Sequence, residues 1–326
     1  MRTGMMIFRA SLAFVVWAMA SLAAAADYPS RPLRIIVPYP PGGVTDVATR
    51  IAAEGLRGRL GQSVVVENRP GGDAIIGVEA AVKSDPDGYT LVIMPGSSLV
   101  TLPLFKKNVP FDPLRDLAPV SMMLRYAQFV VVNAEVPVRS IQELIAYVKA
   151  NPGKVNRGVV GTGSLLQSLI TDKALGLSGL TVPVNYKGAA PFVQALMTNE
   201  VQFANLDTVN SIPAAKAGKI RVLAAATLTR QAIFPDAPTL AETVAPGFEM
   251  TSVFGFLAPA KTPRDIVQRL SAEFATLVKS GPLNEYIVNK ISAIPVGSTP
   301  DEFAQWLRTD LERQREAVQA AKIQPE

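Results

Sequence analysis

Leu33-Arg34-Ile35-Ile36-Val37-Pro38-Tyr39-Pro40-Pro41-Gly42-Gly43-Val44-Thr45-Asp46 reads as a strand, a rigid loop and the start of a helix. The β-branched run stops at Pro38, which cannot donate to a sheet ladder. From 44 to 60 the apolar residues Val47, Ile51, Leu56 and Leu60 recur at helical spacing. A loop leaving the carboxyl end of a strand in an open parallel sheet is where ligands bind. Gly42 and Gly43 leave backbone amides uncovered, and the helix start adds unpaired N–H groups and a positive dipole end. Together they suit an anion such as a carboxylate, and Thr45 could donate its hydroxyl. The same residues also read as a plain Pro/Gly turn in which Thr45 or Asp46 only caps the helix.

Outward from this stretch the pattern repeats. A strand at 63–67, a helix at 75–82 and a strand at 89–94 complete a βαβαβ order, which implies a parallel sheet covered by helices. A second series begins near Gln128 with a strand at 129–132. Ser140 and Glu143 then form a capping box for a helix at 141–150. A strand at 157–160, a Gly/Thr/Ser turn and a helix at 165–175 follow. Further strands are expected at 182–186, 201–206 and 220–226, with helices near 189–198 and 212–217. The last third carries a strand at 254–258 and helices opened by Pro263, by Pro282 and by Thr299-Pro300-Asp301-Glu302. In the last of these, Trp306, Leu307, Leu311, Val318 and Ala321 share an apolar stripe. Only a short strand piece at 293–296 accompanies these helices, so they are expected to pack back on the first series. The expected division is a discontinuous first lobe, 27–127 plus 251–326, and a continuous second lobe, 128–250.

Four more strand ends carry candidate groups. Gly161-Thr162-Gly163-Ser164 precedes a helix exactly as the first loop does in kind, with Ser164 free to cap it or to meet a ligand. Two such loops facing each other would clamp an anion across a cleft. Hydroxyls of Ser97 and Ser98 after the third strand, and Asp207-Thr208 after another, could reach the same cleft, or be ordinary loop polarity. Asn185-Tyr186-Lys187-Gly188 offers a cationic rim or a solvated lysine.

Composition excludes more than it includes. There is no histidine and no cysteine, so the commonest general base, thiolate chemistry and disulfides are absent, and a Ser–His–Asp triad is impossible. No GxSxG, SxxK or HExxH motif occurs. No metal site or cofactor is expected. The formal net charge of +5 is too mild and scattered for nucleic acid. Residues 1–26 carry Arg2 and Arg9, an apolar core and Ala24-Ala25-Ala26, the pattern of a cleaved secretory signal. A periplasmic monomer is the expectation.

One ordered series of short motifs is highly specific. It runs Tyr28-Pro29, Pro38 to Gly43 with Asp46, Leu60-Gly61-Gln62, Val65 to Gly71, Pro86-Asp87-Gly88-Tyr89-Thr90-Leu91 and Asp112-Pro113. It continues through Gly161 to Ser164, Tyr186-Lys187-Gly188, Lys216-Ala217-Gly218-Lys219, Pro235 to Thr239 and Ala258-Pro259-Ala260. The series resembles the Bug family, the TctC-like substrate-binding proteins of tripartite tricarboxylate transporters, from Tyr28 to about Ile323. The resemblance implies an α/β fold of the type II periplasmic binding protein (Venus flytrap) kind, two lobes each with a mainly parallel sheet flanked by helices. It further implies a ligand carboxylate held by backbone amides and hydroxyls of the two loops, with ordered waters bridging the rest. On this chain that points to Pro41, Gly42, Gly43 and Thr45 from one lobe and Gly163 and Ser164 from the other, with Asp207 nearby. Tyr39, Ser97, Ser98, Gln167 and Thr208 complete the candidate ligand-binding set. The chain departs from the family pattern at Gln167, where a histidine is common, at Asn185 and at Asp73. A neutral amide at Gln167 weakens the case for a cationic contact there to a second carboxylate.

The expected function is capture of a small organic carboxylate and its delivery to transporter membrane subunits, without catalysis. The alternatives are a ligand sensor for a membrane receptor on the same fold, or a periplasmic hydrolase or lyase.

Overall fold

The structure, a computed structural model, describes residues 28–320. The expected signal segment, and Ala321 of the apolar stripe, lie outside the described residues.

The opening stretch folds as its pattern dictates: β1 (Leu33–Val37) leads through the Pro/Gly loop into α1 (Val44–Leu60), which Gly61 closes in the left-handed region at φ 68°. β2 (Val64–Asn68), α2 (Ile75–Val82) and β3 (Thr90–Pro95) follow. β1 pairs in parallel with β2 and with β3. Side chains of β1 alternate between two cores despite its continuous apolar run. Leu33, Ile35 and Val37 join Ala52 and Leu56 of α1, whereas Ile36 joins Val78 of α2 on the other face.

One element and most of another here have no counterpart in the sequence reading. α3 (Gly96–Phe105) begins directly after β3 and contains Pro103. Its Gly-Ser-Ser opening and internal proline read as loop, yet Leu99 and Val100 are fully buried and tertiary packing prevails. β4 (Leu117–Asn133) extends twelve residues ahead of the expected strand. Pro119 and irregular registers near Pro119/Ser121 and Met122/Leu124 mask its period in the sequence.

β4 connects the two lobes. It pairs antiparallel with β9 (Thr251–Pro259) from Leu117 to Ala127, and from Gln128 onward with β7 (Phe203–Asp207). The second lobe adds α4 (Ile141–Ala150), β5 (Val155–Val160), α5 (Gly161–Leu175), β6 (Thr181–Tyr186), α6 (Ala189–Met197), α7 (Thr208–Lys216), β8 (Ile220–Ala225) and the short α8 (Leu240–Thr243). β5 runs parallel to β6 and β7, so each lobe has a parallel centre and the crossing strands β4 and β9 run against it. Ser140 caps α4 as expected, its Oγ accepting from Glu143 N (3.2 Å). Glu143 reaches one residue further back, to Arg139 N (2.6 Å), rather than closing the box on Ser140.

After β9 the chain returns to the first lobe with α9 (Arg264–Lys279), α10 (Pro282–Glu285), β10 (Ile294–Pro295) and α11 (Pro300–Ala320). Thr299 and Glu302 make the reciprocal capping box that starts α11 (2.8 and 3.3 Å). Phe303 and Leu307 of α11 pack on the face of the sheet opposite α1 and α9. Gly255 of β9 is the point of closest approach. A Cβ there would enter the Phe303 ring and lie 2.9 Å from the Ser121 carbonyl oxygen. Gly255→Ala is therefore expected to destabilise by about 1–3 kcal/mol through overpacking, read as a lower urea midpoint. An unchanged midpoint would contradict this packing.

Candidate ligand-binding cleft

β1 and β3 are parallel neighbours, with Ile36 opposite Val92. The starts of α1 and α3 therefore share one edge of the first lobe's sheet. β5, β6 and β7 are likewise parallel, so α5 and α7 start from a common edge of the second. This is the crevice geometry at strand carboxyl ends that ligands use in such folds.

The loop before α1 is organised by Asp46. Its carboxylate is buried and accepts from Gly42 N (2.9 Å), Arg50 Nε (3.0 Å) and Asn68 Nδ2 (2.9 Å), while Asn68 also donates to the Tyr39 carbonyl (3.1 Å). The sequence treats Gly42 and Gly43 alike, and the structure separates them. The Gly42 amide is already taken by Asp46, and its φ of +86° makes the turn. Gly43 has an ordinary extended conformation, φ −73° and ψ 165°, and no side chain caps α1. Pro41, Gly42 and Gly43 are exposed and Thr45 is half-buried. Tyr39 packs against both cores of the first lobe, and burial pushes its hydroxyl up to about 12, so it remains a neutral donor.

Burial alone would raise the Asp46 carboxyl, but the donors Arg50, Gly42 N–H and Asn68 outweigh it and hold the group below the ordinary 3.8. A depressed folded value means stability that is present above the unfolded pKa and lost as pH falls through the folded one. The stability gap between wild type and Asp46→Asn is therefore expected to be constant near neutrality and to close below pH 3.8. Acid-unfolding curves of the two proteins check this, and a gap that persists at the lowest pH would contradict it.

In the second lobe α5 begins at Gly161, four residues earlier than its apolar pattern suggests. The Gly/Thr/Ser turn is thus the first turn of the helix. Gly161, at φ +62°, donates its N–H to Asn185 Oδ1 (2.8 Å). The departure at Asn185 therefore has a structural use: it holds the entry to α5. No side chain caps this helix, and Gly163 is exposed while Ser164 is half-buried.

A cavity of about 240 Å³ lies between the lobes. It brings together Ser98 of α3 with Gly163, Ser164 and Gln167 of α5. Met250, Thr251 and Ser252, where the chain crosses between lobes, also line it, as does Arg313 of α11. Gln167 and Gln128 both donate Nε2 to Ser252 Oγ (3.3 Å each). Ser97 lies with Ser98 in the first turn of α3. The loop from Tyr39 to Thr45 does not line this cavity but stands beside it on the same sheet edge.

Asp207 and Thr208 are placed otherwise. Asp207 caps α7, accepting from Asn210 N (2.9 Å) and Asn210 Nδ2 (2.9 and 3.0 Å); burial raises its pKa, and the Asn210 donors pull it only partly back. Thr208 is buried and donates to the Ala127 carbonyl (3.3 Å), so its hydroxyl faces β4. Lys187 is exposed. A larger hollow of about 540 Å³ lies between α9 and the start of α11, at the opposite edge of the first sheet from the starts of α1 and α3.

Sequence reasoning missed Arg313, Ser252 and Gln128, which no local motif marks. It also missed the buried ion pair Arg157–Asp172 beneath α5. Among the described residues no group of His, Cys, Asp and Glu could hold a metal ion, and no helix is long and apolar enough to cross a membrane.

The model of the TctC family, described as the tripartite tricarboxylate transporter family receptor, matches residues 48–323. The chain is 34% identical to protein BugT of Bordetella pertussis over 288 residues, 88% of each chain. A solved structure of an R. palustris protein with adipate is 30% identical, with a TM-score of 0.75, over 92% of this chain and all of that one. MatC from Rhodopseudomonas palustris with bound malate is 25% identical, with a TM-score of 0.71, over 89% of this chain and all of that one.

Proposed function

The chain belongs to the TctC family, periplasmic solute-binding proteins of transport systems and not enzymes, and from that premise we propose that it captures a small organic carboxylate between its lobes and delivers it to the membrane subunits of a tripartite transporter. The observation that carries this reading is the set of helix starts at the cleft. α1, α3 and α5 each begin at a strand carboxyl end with no side-chain cap. Their first amides are donors without helical partners, and their dipole ends favour negative charge. Neutral donors of this kind anchor a carboxylate without an arginine. The relatives bound to adipate and malate support the ligand class.

In this reading Gly43 and Thr45 present the first-lobe donors, while Tyr39, Pro41 and Gly42 shape their loop. Ser98 joins them from α3 of the same lobe, and Gly163, Ser164 and Gln167 act from the second lobe. Asp207 fixes α7 rather than meeting the ligand. The lobes, 27–127 with 251–326 and 128–250, move about the chain crossings, and ligand shifts the open–closed equilibrium toward closure. Closed monomers in the periplasm are what the membrane subunits receive.

Thermal unfolding against a panel of organic acids tests capture. A ligand at a hundredfold excess over Kd adds about 2.7 kcal/mol and raises Tm. Uptake of that acid should then fail in cells lacking the membrane subunits. No shift with any acid would overturn the reading, and uptake that survives their loss would overturn delivery.

A further inference from the structure

Resting on the reading that two lobes close on a ligand, we infer that the last turns of α11 are a latch between them. By gripping α5 and the second chain crossing they set the closed fraction of the protein, and so tune its affinity for every ligand by the same factor.

α11 is rooted in the first lobe, where Phe303, Leu307 and Leu311 share a core with Ile36, Val92 and Leu257. Its later turns reach across. Arg313 Nη1 donates to the carbonyl oxygen of Glu249 (2.7 Å), directly before the crossing at Met250–Ser252. The Glu249 carboxylate in turn pairs with Arg125 of β4 (3.1 Å). Glu249 is thus held by its main chain from α11 and by its side chain from the other crossing strand. Three residues after Arg313, on the same side of the helix, Glu316 pairs with Lys173 of α5 (3.4 Å). α5 and α11 are in contact, and Gln314 of α11 lines the interlobe cavity with Leu166 and Ile170 of α5.

These contacts join parts that separate on opening. α5 and α11 both border the cavity, so widening it draws them apart and breaks the Lys173–Glu316 pair. Neither Lys173 nor Glu316 lines the cavity, so their pairing acts on the closed fraction and not on the ligand. A ligand that binds only the closed form has an apparent Kd equal to its intrinsic Kd divided by that fraction. Both side chains are exposed, so the effect is a shift in this equilibrium and not a loss of the fold.

Charge reversal and charge exchange in the purified protein test this. The probes are adipate and malate, the acids held by the two relatives. Glu316→Lys sets two lysines against each other, while its positive charge near the end of α11 suits the helix dipole. It is expected to weaken both acids by one common factor, about two- to tenfold, and to increase the radius of gyration of the ligand-free protein in X-ray scattering. Glu316→Lys combined with Lys173→Glu restores the pair with its charges exchanged and is expected to recover both readouts, with unfolding curves unchanged throughout. An unchanged radius in Glu316→Lys, a loss that the exchanged pair does not recover, or a weakening of one acid alone overturns the latch while the carboxylate reading stands. If wild type binds neither acid, the carboxylate reading fails for these two, and the radii of the three ligand-free proteins still decide the latch.

Discussion

Asp172→Ala is expected to destabilise the protein by about 3–5 kcal/mol, the cost of leaving a buried charge without its partner. Arg157 on β5 and Asp172 on α5 are 1% and 3% exposed and form an ion pair. Arg157 Nη2 also donates to Asn205 Oδ1 (2.7 Å), and its guanidinium lies 4.8 Å from the Phe203 ring centre. Asp172 Oδ2 accepts from Thr181 Oγ1 (2.8 Å), and Asn205 Nδ2 donates to Thr171 Oγ1 (2.7 Å). Burial opposes the charge on both partners, pushing Arg157 down and Asp172 up, while their attraction works against it. An arginine cannot escape by deprotonating, so removing Asp172 strands a cation beneath the helix that lines the cleft. Urea unfolding measures the loss. The pair Arg157→Met with Asp172→Leu should recover most of it, because two apolar groups need no partner. The exposed Lys173–Glu316 pair is the control: Lys173→Ala should change stability by no more than about 0.5 kcal/mol. A loss at Asp172 as small as the control would contradict the buried network.

Gly163→Val is expected to weaken carboxylate binding by roughly 100-fold or more, equivalent to at least about 2.7 kcal/mol, while changing stability little. Gly163 lines the interlobe cavity, is exposed, and has nothing within 4 Å of an added Cβ. A branched side chain there fits the fold, yet it occupies the space in front of the amides at the start of α5. Gly43→Val makes the same test from the first lobe, where only the Pro40 carbonyl oxygen comes as near as 3.9 Å. Ser164→Ala removes one hydroxyl and should cost about tenfold at most. Titration calorimetry separates the three. Retained affinity in both glycine variants, with unchanged unfolding curves, would contradict the helix-start anchor.

Much of this molecule was legible from its sequence, and the exceptions share a cause. The parallel elements declare themselves because a buried strand such as Leu33–Val37 and an amphipathic helix such as Val44–Leu60 carry the period of their own structure. The crossing strand β4 did not, since Pro119 and its bulges break the alternation that pairing with β9 nevertheless imposes. α3 did not, because Gly, Ser and Pro favour loops until neighbouring elements bury its Leu99 and Val100. At the cleft, the two Gly-rich loops could be found as local signals. That Asp46 consumes the Gly42 amide and Asn185 the Gly161 amide could not, since these bonds depend on how a side chain turns. Arg313 sits 149 positions after Ser164 yet lines the same cavity, and no local pattern connects two such residues.

The most direct test of the account is a crystal structure with the tightest-binding acid from the panel. The account predicts a carboxylate between the lobes, its oxygens within about 3 Å of backbone nitrogens at the starts of α1 and α5. A ligand held in the outer hollow between α9 and α11, or bound only through side chains away from those helix starts, would contradict it.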